Sequence, residues 1–468
     1  MALSRIWSAF ILIAITVALF KYLPAGGEKQ IFSSMIIGKN GDSLEVKSMN
    51  AASVTPAILQ GLDTASRVTE NKITYKREGA EVVAVRVQNA NGVIETCKDA
   101  VMICIGLIGI MALFMGFMSI AEKAGGINLL SRIIGPFFSR IFPEVPRGHP
   151  AFGHMMMNFS ANLLNLDNAA TPFGLKAMES LQELNPSKTT ASNAQLMFLC
   201  LHASGLTLIP VTIIAARAAL KAENPTDIFV PCMVATFAAT MAAMFIVSFK
   251  QKINVFQPVI LAWVLGISAI IAALVLYLVR LDADGVQSFS SVLSNGLILF
   301  IFLAIVLGAL YKKINVFDAF IEGAKGGFET AVRIIPYLVG MLVAISLLRT
   351  SGTFDVVING MKTMFMWMGA DTRFVDGLPT ALIKPLSGSG ARGMMIDTMK
   401  TFGPDSFAGR LSSVLQGSSD TTFYVIAVYF GAVGIKNTRY AVGAMLLADL
   451  VGIITSILLA YLFFGNSL

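Results

Sequence analysis

Eight runs of this chain, approximately 98–120, 193–217, 227–249, 257–280, 289–311, 331–348, 408–434 and 440–464, are apolar over lengths that suit a bilayer crossing. A hydrocarbon core of ~30 Å takes about 20 such residues as a helix. No water bonds the backbone there, so spanning segments are helices or closed barrels, and runs of this length select helix. Composition agrees: 55% of the 468 residues are hydrophobic and only 13% are charged, well below the ~25% charged of soluble domains. The fold class expected is an all-α polytopic membrane protein. The net charge of +7 is no nucleic-acid footprint, because the Lys and Arg residues lie mostly in short segments between apolar runs, with no basic patch interleaved with aromatics. No nucleic-acid partner is expected; the bilayer is.

The N-terminal apolar stretch, residues 6–23, follows Arg5 and is read as a retained anchor (1–24) rather than a cleaved signal peptide, since it is long for a signal sequence. Residues 25–97 change character. Charges return, Lys39-Asn-Gly-Asp42 reads as a hairpin turn, and residues 81–88 alternate like a strand. A small water-facing insert with some β structure is expected. The four cysteines, Cys97, Cys104, Cys200 and Cys232, form no CxxC pair, and the three histidines are scattered. Neither a disulfide framework nor a metal site is indicated.

Between the apolar runs lie stretches that do not suit simple spans. Residues 127–142 and 352–370 have the spacing of interfacial amphipathic helices. Each precedes a segment rich in Gly, Pro, Ser or Asn, 148–180 and 376–400, interrupted by Asn165-Leu-Asp-Asn168 and Ser387-Gly-Ser-Gly390. Such segments fit re-entrant helical hairpins, whose irregular backbone is tolerated only against protein or a water-filled cavity. The order of elements repeats, and Thr207 aligns with Thr421 at an offset of 214 residues. Hairpins return to their starting side, so five full crossings separate the two copies. An odd number inverts the second copy, giving an inverted-topology repeat, an arrangement that places substrate sites near the midplane. With residue 1 in the cytoplasm, the cations of the short segments favour cytoplasmic ends, and the insert lies outside.

Polar groups at membrane depth cost several kcal/mol when unsatisfied, so they mark candidate sites. Asn158, Asn162 and Asn165 share one helical face, Asp167 and Asn168 fall at the hairpin tip, and Thr171 follows. Ser387, Ser389 and Arg392 surround a glycine-rich helix start suited to an anion, with Asp397 placed to neutralise Arg392. Gln416, Ser418, Ser419, Asp420 and Thr421 open the next run, with Ser204 and Thr207 as their counterparts. Asp420 has three candidate roles: binding a coupling cation, binding a basic or hydroxylated solute group, or pairing with Arg392. No P-loop, GxSxG or HExxH motif occurs, and no enzyme activity is expected.

These motifs carry a family resemblance. Glu122-Lys-Ala-Gly125, Phe142-Pro-Glu-Val-Pro146, residues 158–174, Leu184-Asn-Pro186 and 204–210 resemble spore maturation protein A. Ile335-Pro-Tyr-Leu338, residues 385–393, Gly403-Pro-Asp405, 416–424 and 427–434 resemble spore maturation protein B. The chain is thus similar to a fusion of the two, both of the nucleoside-recognition Gate domain class shared with concentrative nucleoside transporters. The division expected is an anchor (1–24), an extracytoplasmic insert (25–97), an A-like repeat (98–256), linking helices (257–330) and a B-like repeat (331–468). The insert is longer than the family's usual connection, and Asp420 stands where many relatives carry Glu. The resemblance implies paired hairpins in inverted repeats. The expected function is secondary transport of a small polar solute, nucleoside-like or otherwise zwitterionic or hydroxylated. Other features expected are the bacterial cytoplasmic (inner) membrane, no cofactor beyond a coupling cation such as Na⁺ or H⁺, a homo-oligomer, and an envelope partner for the insert. The alternatives are a lipid or envelope-precursor translocator, or a non-transporting scaffold in envelope maturation.

Overall fold

The computed structural model describes the chain except residues 1, 24–27, 51–55, 65–66, 71–72, 79–80, 147, 164–166, 208, 279, 282 and 466–468. Helix α1 (Ala2–Tyr22) leads into α2 (Ile31–Ile37) and a small domain containing β1 (Gly38–Asn50), α3 (Pro56–Thr64), β2 (Arg67–Glu70), β3 (Ile73–Glu78) and β4 (Glu81–Asn91). The four strands form one antiparallel sheet in the order β1-β4-β3-β2. The turn expected at Lys39–Asp42 is absent. The chain runs straight through as β1, with a register shift between Lys39 and Asp42. Gly41 inside a strand suits a bulge, and pairing along the whole of β4 outweighs the local turn preference.

The membrane portion begins with α4 (Val93–Lys123), then α5 (Gly126–Ile141), a hairpin of α6 (Pro150–Leu163) and α7 (Asp167–Glu183), then α8 (Asn193–Ala203), α9 (Val211–Ala219) and α10 (Phe229–Gln251). Helices α11 (Pro258–Leu278) and α12 (Ala283–Tyr311) follow, with few of their residues buried in the protein. The second copy is α13 (Val316–Thr350), α14 (Thr353–Trp367), a hairpin of α15 (Leu378–Ile383) and α16 (Gly388–Phe402), then α17 (Phe407–Gly417), α18 (Thr422–Val425) with a π-helical turn over 426–430, and α19 (Ala441–Phe464). Among the described residues, six helices are long and apolar enough to cross a membrane, so this is a multi-pass membrane protein. In both copies a left-handed glycine, Gly125 (φ 84°) or Gly352 (φ 76°), turns the chain from the first span into the interfacial helix. Only glycine adopts that conformation without steric cost. Helix α13 starts 15 residues before the expected run at 331, capped by Asn315, whose side chain accepts from the N–H of Asp318. It packs along α4, with Gly116, Gly323 and Gly327 facing the partner helix. Small residues let helix backbones approach closely where apolar burial against lipid gives no advantage.

The two copies meet through two sets of corresponding loops. At one end the α7–α8 connection joins the segment before α19: Thr189 O accepts from the N–H groups of Lys436 and Asn437, and Asn437 O accepts from Ala191. Arg439 there donates to Ala191 O and Asn193. At the other end the α16–α17 connection joins the segment before α10. Arg217, fully buried, donates to Pro404 O at 2.6 Å and pairs with Asp227 at 2.9 Å and Asp405 at 3.1 Å. Arg410 closes the network on Asp227 at 2.7 Å. Two arginines and two aspartates balance, as buried charges require. In each contact the loop after one copy's hairpin joins the loop before the other copy's final helix, as a twofold relation between the copies requires. The apolar interior divides likewise, one cluster around hairpin α6–α7 with α8, the other around hairpin α15–α16 with α17.

Candidate functional site

The runs 193–217 and 408–434, expected to be continuous spans, are both broken at mid-course. Residues 204–207, 209–210 and 418–421 leave the helix, and the two irregular segments cross. At the crossing the N–H of Asp420 donates to Ala203 O at 2.8 Å. Gly205 (φ 64°) lies against the peptide of Ser419 and Asp420, a Cβ there falling 3.3 Å from the Asp420 nitrogen. Each break thus satisfies part of the backbone freed by the other, the condition under which irregular backbone survives at membrane depth. The hairpins close on the crossing from the two copies. In hairpin α15–α16, Pro385 O accepts from Phe423 N at 3.0 Å and Gly388 sits against Thr421. In hairpin α6–α7, Gly174 sits against Tyr429.

A cavity of about 180 Å³ opens at this junction, lined by Asn162, His202, Thr207, Lys384, Arg392, Gln416, Ser419 and Asp420 among others. His202 is held from behind by two of the asparagines expected on one face. The Asn158 amide donates to Ala170 O at 2.6 Å, closing the hairpin, so its oxygen faces His202 Nδ1 at 3.0 Å. The Asn162 amide nitrogen also lies against Nδ1, at 2.8 Å. On its other side, His202 Nε2 faces Asp420 Oδ2 at 4.0 Å. The Asp420 side chain is about half exposed (47%), and its Oδ1 accepts from Thr421 N at 2.7 Å. Gln416 stands in the second copy where His202 stands in the first, at the same 214-residue offset. It is 6% exposed, and its Oε1 has no hydrogen-bond partner among the described residues.

The other expected residues are distributed around this cavity. Ser204 and Ser418, also equivalent, turn their hydroxyls back on Leu201 O and Leu415 O. Ser204 also donates to Thr240. Ser387 is the N-cap of α16, accepting from Gly390 N at 3.0 Å, with Ser389 3.3 Å from it. Thr421 is buried against Gly388, and Thr171 is half-buried in α7. Asn165 lies outside the described residues, as do the side chains of Asp167 and Asn168. Asp397 bonds Arg349 through two guanidinium contacts, at 2.7 and 2.5 Å. Sequence reasoning did not single out Lys384, a lone buried lysine beside a hairpin tip, or Asp449 on α19. Asp449 is 3% exposed and accepts from Thr422 at 2.6 Å. An ionisable residue inside an apolar run was the available signal for both.

Comparison with known proteins agrees with this architecture. Spore maturation protein B of Bacillus subtilis (strain 168) is 49% identical over 175 residues, covering 37% of this chain and 97% of that protein. Spore maturation protein A of the same organism is 40% identical over 161 residues, covering 34% of this chain and 82% of that protein. The two matches cover different parts of the chain, as in a fusion. No solved structure matches. The pattern of the Gate family, described as nucleoside recognition, matches residues 104–249 and 331–436, more than half of the sequence, and the chain belongs to that family.

Proposed function

We propose that this protein is a secondary transporter that carries a small polar solute through the cavity between its two hairpins. The observation that supports this most is the crossing of two broken helices at a cavity lined by Asp420, Gln416, Lys384, Arg392 and His202. Ionisable groups inside membrane segments line solute or ion paths far more often than they face lipid, and broken helices at repeat interfaces are the usual solute sites of secondary transporters. The polar lining argues against a lipid cargo. Hairpins α6–α7 and α15–α16 act as the two gates, and Na⁺ or H⁺ serves as coupling ion. The protein lies in the cytoplasmic membrane with its β domain outside.

The reading is tested in proteoliposomes holding the full chain. Uptake of a radiolabelled panel of nucleosides and amino acids is measured for wild type and Asp420→Asn. Uptake of one class, lost in the variant while its thermal unfolding is unchanged, supports the assignment. Equal uptake by both proteins removes Asp420 from the site.

A further inference from the structure

Asp449 is a buried carboxylate that the solute cavity does not use. It lies eight residues into α19, about 12 Å from the start of that span, well inside a hydrocarbon layer of ~30 Å. Among the described residues no ion pair reaches it. Its neighbours are hydroxyls: Oδ2 accepts from Thr422 at 2.6 Å, and Ser419 faces the same carboxylate. Both belong to the stretch where the second broken helix stops and restarts. The titratable groups facing Asp449 are Asp420 in the break, Lys384 beside the hairpin tip and Cys200 on α8. His202 on α8 is turned to Asp420. On the other elements packed against α19, Arg410 of α17 and Cys232 of α10 sit with the Arg217 network, and Lys250, Tyr311 and Tyr424 are exposed.

One residue links this carboxylate to the solute path. Ser419 lines the cavity, and Asp449 stands behind it. Helix α19 is also keyed to the break: at Gly452, one turn beyond Asp449, a Cβ would fall 3.3 Å from Ser418 O. A shift of the broken helix during gating therefore changes what surrounds Asp449.

We propose that Asp449 carries the coupling proton of transport, neutral while the crossing is closed over it and charged when the crossing opens to water. An ionised carboxylate without a cation is costly in a dry interior, so a proton bound or released there biases one conformation against the other. The proton passes by way of Ser419, whose hydroxyl hands on its own proton as it takes one from cavity water, leaving the serine unchanged. The direct bond from Thr422 to Oδ2 leaves no gap for a metal ion between these oxygens, so the coupling ion is H⁺ rather than Na⁺. The proposal rests on the reading of the cavity as a solute path.

The test uses the full chain in proteoliposomes with the labelled panel of nucleosides and amino acids. An inward proton gradient is expected to drive accumulation of one class, a protonophore to abolish it, and a Na⁺ gradient alone to drive none. Asp449→Asn keeps an acceptor for Thr422 and is expected to unfold at the wild-type temperature. It should lose accumulation yet still exchange labelled for unlabelled solute, a split that damage to the fold or to the solute site does not produce. In purified protein without solute, infrared difference spectra between alkaline and acid buffer should show the C=O band of a protonated buried carboxyl, absent in Asp449→Asn. If that variant unfolds early, Asp449→Glu takes its place, and its longer carboxyl should shift the band. Accumulation driven by Na⁺ alone, or equally by the proton gradient in Asp449→Asn, overturns the proposal, as does an infrared band that the substitution leaves unchanged. Exchange without accumulation in the wild type overturns it and leaves the transport reading standing. Neither uptake nor exchange by the wild type, across the panel, removes the transport reading and this proposal with it.

Discussion

Asn158 and Gln416 are both buried amides, but only one has its bonding satisfied, and their replacements should behave oppositely. Asn158 bonds Ala170 O and His202 within the hairpin. Asn158→Ala leaves the buried Ala170 carbonyl without its donor, at about 1–3 kcal/mol, and takes one of two amides from His202, so thermal unfolding in detergent should show a clear loss of stability. Gln416 contributes an unbonded oxygen, and an apolar side chain of similar shape removes an unmet demand. Gln416→Met should unfold at or above the wild-type temperature, and a drop comparable to that of Asn158→Ala would mean the oxygen is bonded. The asparagine face and the polar start at Gln416 were legible because amides are rare in apolar runs. His202 carried the same message in a weaker form, since one histidine among apolar residues is more often a satisfied core residue than a site. Its partners are 44 and 40 residues away, a distance that helical periodicity does not bridge.

At the scale of elements, the hairpins and interfacial helices followed from composition, whereas the two helix breaks did not. The first break contains Leu206 and Ile209, which read as a continuing span. What unwinds them is the other broken helix, and a local pattern carries no record of so distant a partner. The loops joining the copies are more exacting. Arg217 binds Asp227, Asp405 and Pro404 O with no exposure. Arg217→Met leaves buried carboxylates short of a cation, at about 3–5 kcal/mol. It should lower the unfolding temperature far more than replacement of the exposed Lys98, and equal effects would show the network to be solvated. Gly174→Val belongs to the same scale. A Cβ at this position meets Tyr429 at 2.6 Å and the Asn158 amide at 2.8 Å, so the hairpin must lift from the π-helical turn. The expected outcome is loss of stability greater than for Gly153→Val, where no atom lies within 4 Å.

For the molecule as a whole, the parity of crossings implies the inverted arrangement, and the reciprocal contacts between corresponding loops tie the two copies together. The β domain is separable by geometry, since Gly38 pairs with Asn91 and both ends of the sheet segment enter the membrane portion side by side. Replacing residues 39–90 by a short Gly/Ser linker should leave unfolding of the membrane portion and solute uptake near wild type; loss of uptake in a folded protein would favour the scaffold reading. The central claim is that the cavity at the crossing is a path open in turn to both sides of the membrane. Its most direct test is a single cysteine at Thr207, in a background with the four native cysteines replaced, exposed to a membrane-impermeant maleimide in right-side-out and inside-out vesicles. The account predicts labelling in both orientations, with a cysteine at the lipid-facing Leu458 unlabelled in either. Protection of Thr207→Cys from both sides, in protein that retains its wild-type unfolding temperature, would contradict it and leave the polar cluster as a structural joint.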